Sequence, residues 1–223
     1  MPVAPLPTAL PSPAPSSGTE KDISQVAANG TTPVPTTLYD LYGATSEEDE
    51  AWLQNAGFPD LATLDILERS SDTDLEQLAR GGDLVAANIL AWRKAKQGGA
   101  GMAPIDALFE AAVDGSVHAL KVMADIHTFL PEYRNPILAS AYNQVAAMHG
   151  YYNALTGNLL LDAGMSAEDR YAANLYALIT YENLQRAHSQ RYGTPFAPDP
   201  RPGLFDLWAE IDAYYSRAQA DNP

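Results

Sequence analysis

The chain has 223 residues, 46% of them hydrophobic, no cysteine, and a formal net charge of −15 at pH 7. That acidity excludes a nucleic-acid ligand, because phosphates would be repelled and no basic stripe offsets the repulsion. Without cysteine there are no disulfides, thiolate nucleophiles or cysteine-rich metal sites, and no apolar run approaches the roughly 18 residues needed to cross a bilayer.

The first residues, MPVAPLPTALPSPAP, have neither the basic head nor the continuous apolar core of a signal peptide. Pro, Ala, Ser and Thr dominate from Pro2 to Thr37, so residues 1–37 read as a disordered tether that cannot fold alone, followed by one folded domain over 38–223. Such a tether commonly follows the processed end of an exported or lipid-anchored bacterial protein. The expectation is therefore the bacterial periplasm or envelope, with room for a lipid anchor before the tether; a disordered tail on a cytoplasmic protein is the alternative.

In the folded part, Leu38 to Tyr42 forms a short strand or an anchoring turn. Ser46 then caps a helix that stops near Gly57, with the carboxylates of Glu47 to Asp49 favouring its N-terminus. Leu61, Leu64, Ile66 and Leu67 share the apolar face of a helix from Asp60 to Arg69, and Thr73 caps the next, Asp74 to Arg80. Between Asp40 and Glu76 eleven carboxylates face the single cation Arg69. Such a cluster is a solvated face or a dock for a basic partner.

A repeat follows. The segments LARGGDLVA (Leu78 to Ala86), AAVDGSVHA (Ala111 to Ala119) and AAMHGYYNA (Ala146 to Ala154) superimpose on Gly82, Gly115 and Gly150, which are 33 and 35 residues apart. That period belongs to arrays of helix pairs. Each pair ends one helix on a glycine able to take a left-handed conformation and begins the next after a tight turn. Ala111, Ala112 and Ala119, with Ala146, Ala147 and Ala154, sit where helices touch. The helices read as Asp83 to Gln97, Pro104 to Val113, Ser116 to Phe129, Pro136 to His149 and Tyr151 to Ala163, with Pro104 and Pro136 at helix starts.

The succession Ala86, Leu90, Ala91, Trp92, the turn Gly98 to Gly101, then Ala111, Ala112, Gly115 and Ala119 resembles the motif of Sel1-like repeats, relatives of the tetratricopeptide repeats. A second copy matches at Ala119, Met123, Ala124, Tyr142, Ala146, Ala147, Gly150 and Ala154, with Phe129 to Pro136 replacing the glycine turn, and a third runs from Ala154 to Gly164. The resemblance covers about Asp74 to Gly164. It implies an all-α fold, a short solenoid of antiparallel helix pairs, and binding instead of catalysis.

Ser166, with Asp169 three residues on, opens a long helix to about Tyr192 in capping-box manner, its apolar face being Ala172, Leu175, Tyr176 and Ile179. After a proline-rich loop, Leu204, Leu207, Trp208, Ile211 and Tyr215 recur at helical spacing from Gly203 to about Ala218, a terminal helix that covers the open end of the array.

Chemical motifs are sparse. His118, His127, His149 and His188 occur in no helical metal-ligand spacing, so no metal and no cofactor are expected. Asp114 with His118, and Lys121 with Asp125, read as surface helix pairs. Nine of the twelve tyrosines lie from Tyr142 to Tyr215, interleaved with Asn and Gln. Tyrosine suits recognition surfaces, so Tyr142, Asn143, Tyr151, Tyr152, Asn153, Asn174 and Tyr181 are the candidate partner-binding residues. The favoured function is a non-enzymatic protein–protein interaction module: an adaptor, inhibitor or immunity-type binder. The alternative is a helical envelope enzyme, such as a polymer hydrolase, with a carboxylate pair brought together by folding, for example Glu132 and Glu168.

Overall fold

In the computed structural model, residues 42–196 and 201–202 are described. Among them every regular element is helical: α1 Glu47–Asn55, α2 Leu61–Arg69, α3 Asp72–Arg80, α4 Leu84–Gln97, α5 Ala103–Val113, α6 Val117–Phe129, a 3-10 turn Pro131–Tyr133, α7 Pro136–Met148, α8 Ala154–Asp162 and α9 Ala167–Tyr192. The tether expected over 1–37 and the terminal helix expected from Gly203 lie outside the described residues.

Capping explains most of the boundaries. Ser46, Asp60, Asp83 and Ser116 each accept a hydrogen bond from the backbone amide three residues on, which satisfies one of the orphan donors at each helix start. Asn135 does the same for α7, whose first residue is Pro136. Ser166 and Asp169 form the expected capping box at α9. At α3 the cap is Ser71, not Thr73: Ser71 and Asp74 complete a capping box, so the helix starts at Asp72 and Thr73 lies inside it.

The three aligned glycines close three turns with the same hydrogen bonds. Gly82, Gly115 and Gly150 have φ of 93°, 107° and 94°. Their amides bond to Ala79, Ala112 and Ala147, and the amides of Asp83, Ser116 and Tyr151 reach back to the carbonyls of Leu78, Ala111 and Ala146 at 3.1, 3.0 and 2.9 Å. This is the Schellman arrangement, and the left-handed residue it needs is best supplied by glycine. In the first two copies the residue after the glycine, Asp83 or Ser116, also caps the next helix at once. Tyr151 cannot cap, so α8 begins only at Ala154, three residues later than the expected Tyr151 start.

Consecutive helices pack on one another from α3 to α8, and α9 returns along α7 to reach α5. Ala111, Ala112, Ala119, Ala146, Ala147 and Ala154 are all buried, which lets the paired helices approach closely. Leu108, Leu120, Met123, Ile126 and Val145 fill the centre, each contributing about 1.5–3 kcal/mol by burial. Leu67, Leu75, Ala86, Ile89 and Leu90 form a smaller cluster beneath α2 and α3. Ile66, expected on that inner face, is 64% exposed, because Leu67 and Leu64 occupy the side of α2 turned to α4. On α9 the inner residues are Ala173, Ala177 and Leu184, while Leu175 and Ile179 of the expected apolar face are exposed.

One side chain joins distant parts of the domain. Arg201 grips the buried carboxylate of Asp49 with two hydrogen bonds, Nε to Oδ1 at 2.5 Å and Nη2 to Oδ2 at 2.8 Å. Nη2 also donates to the carbonyls of Tyr42 (3.2 Å) and Gly43 (3.0 Å), and the guanidinium lies 5.7 Å from the Tyr151 ring centroid. Removing one partner of such a buried pair strands the other charge, which costs about 3–5 kcal/mol. Arg201→Met is therefore expected to lower the urea-unfolding stability by that amount. Adding Asp49→Leu should recover most of it; a double variant no more stable than the single one would show that the pair is not the cause.

Candidate functional site

The seven residues expected to meet a partner are mostly engaged inside the protein. Asn143 is buried and donates to Asn158 Oδ1 at 3.1 Å, while Asn158 donates to the Ser140 carbonyl at 3.3 Å. The chain of bonds from Asn143 through Asn158 to the Ser140 backbone gives both buried amides partners between α7 and α8, as buried polar groups require. Tyr151 is buried between Phe58, 4.6 Å away, and Arg201. Burial pushes its hydroxyl pKa up to about 12, with the Arg201 charge opposing the rise. Tyr142 stacks on His127, ring centroids 5.6 Å apart and planes 11° off parallel. Tyr181 lies against His149 at 5.1 Å. Asn153 and Tyr152 are half-buried, with Asn153 donating to the Tyr42 carbonyl at 3.2 Å; Asn174 is exposed on α9.

The histidines serve packing. His118 lies 4.7 Å from Phe58, with Asn88 Nδ2 3.2 Å from its Nδ1; burial, aided by Lys121, pulls its pKa down to about 3. The Nδ1 atom of His127 contacts the Tyr133 carbonyl at 2.7 Å. His149 is fully buried against Phe196 and Tyr181, and neither ring nitrogen has a hydrogen-bond partner among the described residues. Burial, and secondarily His188, holds its pKa down to about 4. These three rings are neutral at pH 7.

The two carboxylates expected as a catalytic pair, Glu132 and Glu168, have separate surroundings. Glu132 accepts from the Gly99 amide at 3.2 Å, whereas Glu168 is exposed in the first turn of α9. Lys121 and Asp125 pair as expected, but Asp114 takes Arg191 and the Tyr192 hydroxyl instead of His118. In the acidic stretch, Asp49 binds Arg201, Asp60 and Asp74 serve as helix-start acceptors, and Asp65, Asp72 and Glu76 pair with Arg69, Arg93 and Lys94. Hydrogen bonds from Arg93 and Lys94 hold the pKa values of Asp72 and Glu76 below the ordinary carboxylate range. Among the described residues no group of three or more His, Asp or Glu side chains is arranged to hold a metal ion, and no helix is long and apolar enough to cross a membrane.

What the surface does offer is apolar. On α8, Leu155, Leu159 and Leu160 are exposed, Leu159 by 73% and Leu160 by 84%; on α9, Tyr171 (70%), Leu175, Leu178 and Ile179 are exposed. Both helices pack on α7. α8 turns Ala154 and Asn158 inward, and α9 turns Ala173 and Ala177 inward. The small inner residues seat each helix closely, so the larger leucines are left on the outside. With Tyr192, eight large apolar side chains are thus exposed on these two helices; exposed apolar surface, where it is contiguous, marks interaction sites. The signal was present in the sequence: from Tyr171 to Ile179 the α9 segment is apolar on two sides, and only one side can meet α7.

Comparison of the chain with protein-family models, with curated proteins and with solved structures returned no match.

The neutral histidines set a pH dependence. In the unfolded chain His149 takes up a proton below its ordinary value of 6.5, whereas in the folded protein it resists down to about 4. The stability it contributes is present above 6.5 and lost as pH falls through that window, on the order of 3 kcal/mol over the whole range. Asp72 and Glu76 add a further loss at lower pH, below their ordinary values of 3.8 and 4.5. His149→Leu should flatten the stability–pH slope between pH 6.5 and 4 by about one proton. Denaturant titrations across that range check it, and an unchanged slope would rule out His149.

Proposed function

We propose that this chain is a non-enzymatic protein–protein interaction module, an adaptor, inhibitor or immunity-type binder built as a short Sel1-like or tetratricopeptide-like array of antiparallel helix pairs. The observation that carries this reading is the apolar surface exposed on α8 and on α9. Support for the array comes from the three identical glycine turns and the alanines buried beside them. In a solenoid each helix pair leaves an apolar surface for its neighbour, and the apolar side chains exposed on α8 and on α9 support that reading.

Recognition on this face is apolar first. Four carboxylates of the acidic stretch, Asp49, Asp65, Asp72 and Glu76, are neutralised by ion pairs within the chain, and the rest of its charge favours a basic rim on the partner. The Pro/Ala-rich residues 1–37 favour a bacterial periplasmic or envelope location, with the domain held on a tether.

The test compares the full chain with Leu159→Glu/Leu178→Glu, both immobilised and exposed to extract of the source organism at moderate salt. Since both side chains are exposed, the variant should keep the wild-type melting curve. Each leucine buried in a complex contributes about 1.5–3 kcal/mol, so retention of the specific partner should fall at least about tenfold. Equal retention by the two proteins would move the binding surface elsewhere.

A further inference from the structure

The outer side of α9 complements itself, and the inference drawn from it rests on reading that side as a binding surface. At about 100° per residue, Leu175 and Ile179 lie opposite the buried Ala177, with Tyr171 and Leu178 beside them, and all four are exposed. Glu168 and Arg186 stand on the same line at the two ends of this stripe, about five turns or 27 Å apart, and Glu182 lies on it one turn before Arg186. These three charged side chains are exposed and have no ion pair or side-chain hydrogen bond among the described residues. The other arginines of the helix are committed: Arg170 donates to the carbonyls of Asp162 and Met165, and Arg191 pairs with Glu110 and Asp114.

A stripe with a free acid at its N-terminal end and a free base at its C-terminal end is matched by the same stripe running the other way. In the antiparallel register whose two-fold axis passes at the level between Tyr176 and Ala177, Leu175 meets Leu178 of the second copy. Tyr171 then meets Glu182, to which its hydroxyl can donate, and Glu168 lies beside Arg186. The two-fold makes each of these contacts twice. The positions 171, 175, 178 and 182 alternate spacings of four and three, the seam along which two helices pack at about 20°. A parallel pairing would instead set Glu168, Glu182 and Arg186 each against its own copy, three like-charge contacts on each side of the seam. A surface of one charge sign would satisfy one end of the stripe and oppose the other.

We propose that the outer side of α9 docks on a second copy of this chain: two copies associate antiparallel through Tyr171, Leu175, Leu178 and Glu182, with a Glu168–Arg186 ion pair at each end. A single helix pair is a small interface, so the association is weak and reversible and depends on concentration.

Sedimentation velocity of the full chain tests it, from about 1 μM to 0.2 mM in about 0.15 M salt, which screens the repulsion between two copies of net charge −15. A shift from monomer to dimer across that range is the expected result, and a monomer throughout overturns the proposal. Leu175→Glu/Leu178→Glu should keep the wild-type melting curve and weaken the dimer at least about tenfold; an undiminished dimer places the contact elsewhere and also overturns it. The charges decide the direction of pairing. Glu168→Arg and Arg186→Glu should each weaken the dimer severalfold, and the double swap Glu168→Arg/Arg186→Glu should restore it; a double variant no tighter than the single ones overturns the antiparallel register. A chain that stays monomeric yet loses an extract partner through Leu159→Glu/Leu178→Glu would reject the second copy and leave the binding surface standing. A dimer dissolved by Leu175→Glu/Leu178→Glu, with extract proteins retained equally by Leu159→Glu/Leu178→Glu and the full chain, would support self-association and reject a separate partner on these helices.

Discussion

The grip of Arg201 on Asp49 is the constraint around which the domain closes. Two charges that are almost wholly out of water are tolerable only when each finds its partners. Asp49 has the guanidinium on both oxygens and the Thr45 amide at 2.9 Å; Arg201 adds two backbone carbonyls and the face of Tyr151, with its Nη1 left without a hydrogen-bond partner among the described residues. Its contribution lies less in net stability than in uniqueness of arrangement. A hydrophobic pair of similar size would fill the space equally well, but it would not demand that α1, the Tyr42 carbonyl and the start of α8 meet at one point.

Around that point the rest is assembled by repetition of one local device. A helix ending on a left-handed glycine, flanked by alanines, is inexpensive to specify, and the chain uses it three times with near-identical hydrogen bonds. Where the residue after the glycine can cap, the next helix starts at once. Where it is Tyr151, the ring is committed to the core and the following helix is shorter. The exposed leucines of α8 and α9 lie just beyond this third, altered copy.

Local features of the fold were legible in the sequence because they depend on residues close together in the chain. Ser46 and Ser166 announced their helices by cap chemistry, and Gly82, Gly115 and Gly150 announced the turns. Where two caps competed, at Ser71 and Thr73, the reciprocal bond to Asp74 decided, and spacing alone pointed to the wrong one. Features that depend on which side of a helix meets another helix were not legible. α9 is apolar on two sides, and the alanines took the inner side because they permit the closer approach. For the same reason the tyrosine enrichment did not reveal the rings' packing: Tyr142, Tyr151 and Tyr181 share their stretch of chain with surface residues, yet lie against His127, Phe58 and His149. The Asp49–Arg201 pair, 152 residues apart in sequence, left no trace in any local pattern.

That same clasp gives the domain a mechanical character. Because Arg201 holds the backbone of Tyr42 and Gly43 directly, tension applied between the residues before Tyr42 and those after Pro202 is borne by the guanidinium and its four acceptors, and the helices enclosed between them carry no load while it holds. Rupture would transfer the whole force to the glycine turns. The stretch of 159 residues from Tyr42 to Arg201 so released spans roughly 500 Å when fully extended. Loaded across those two ends, the domain would thus respond as a latch, rigid up to one threshold and long beyond it.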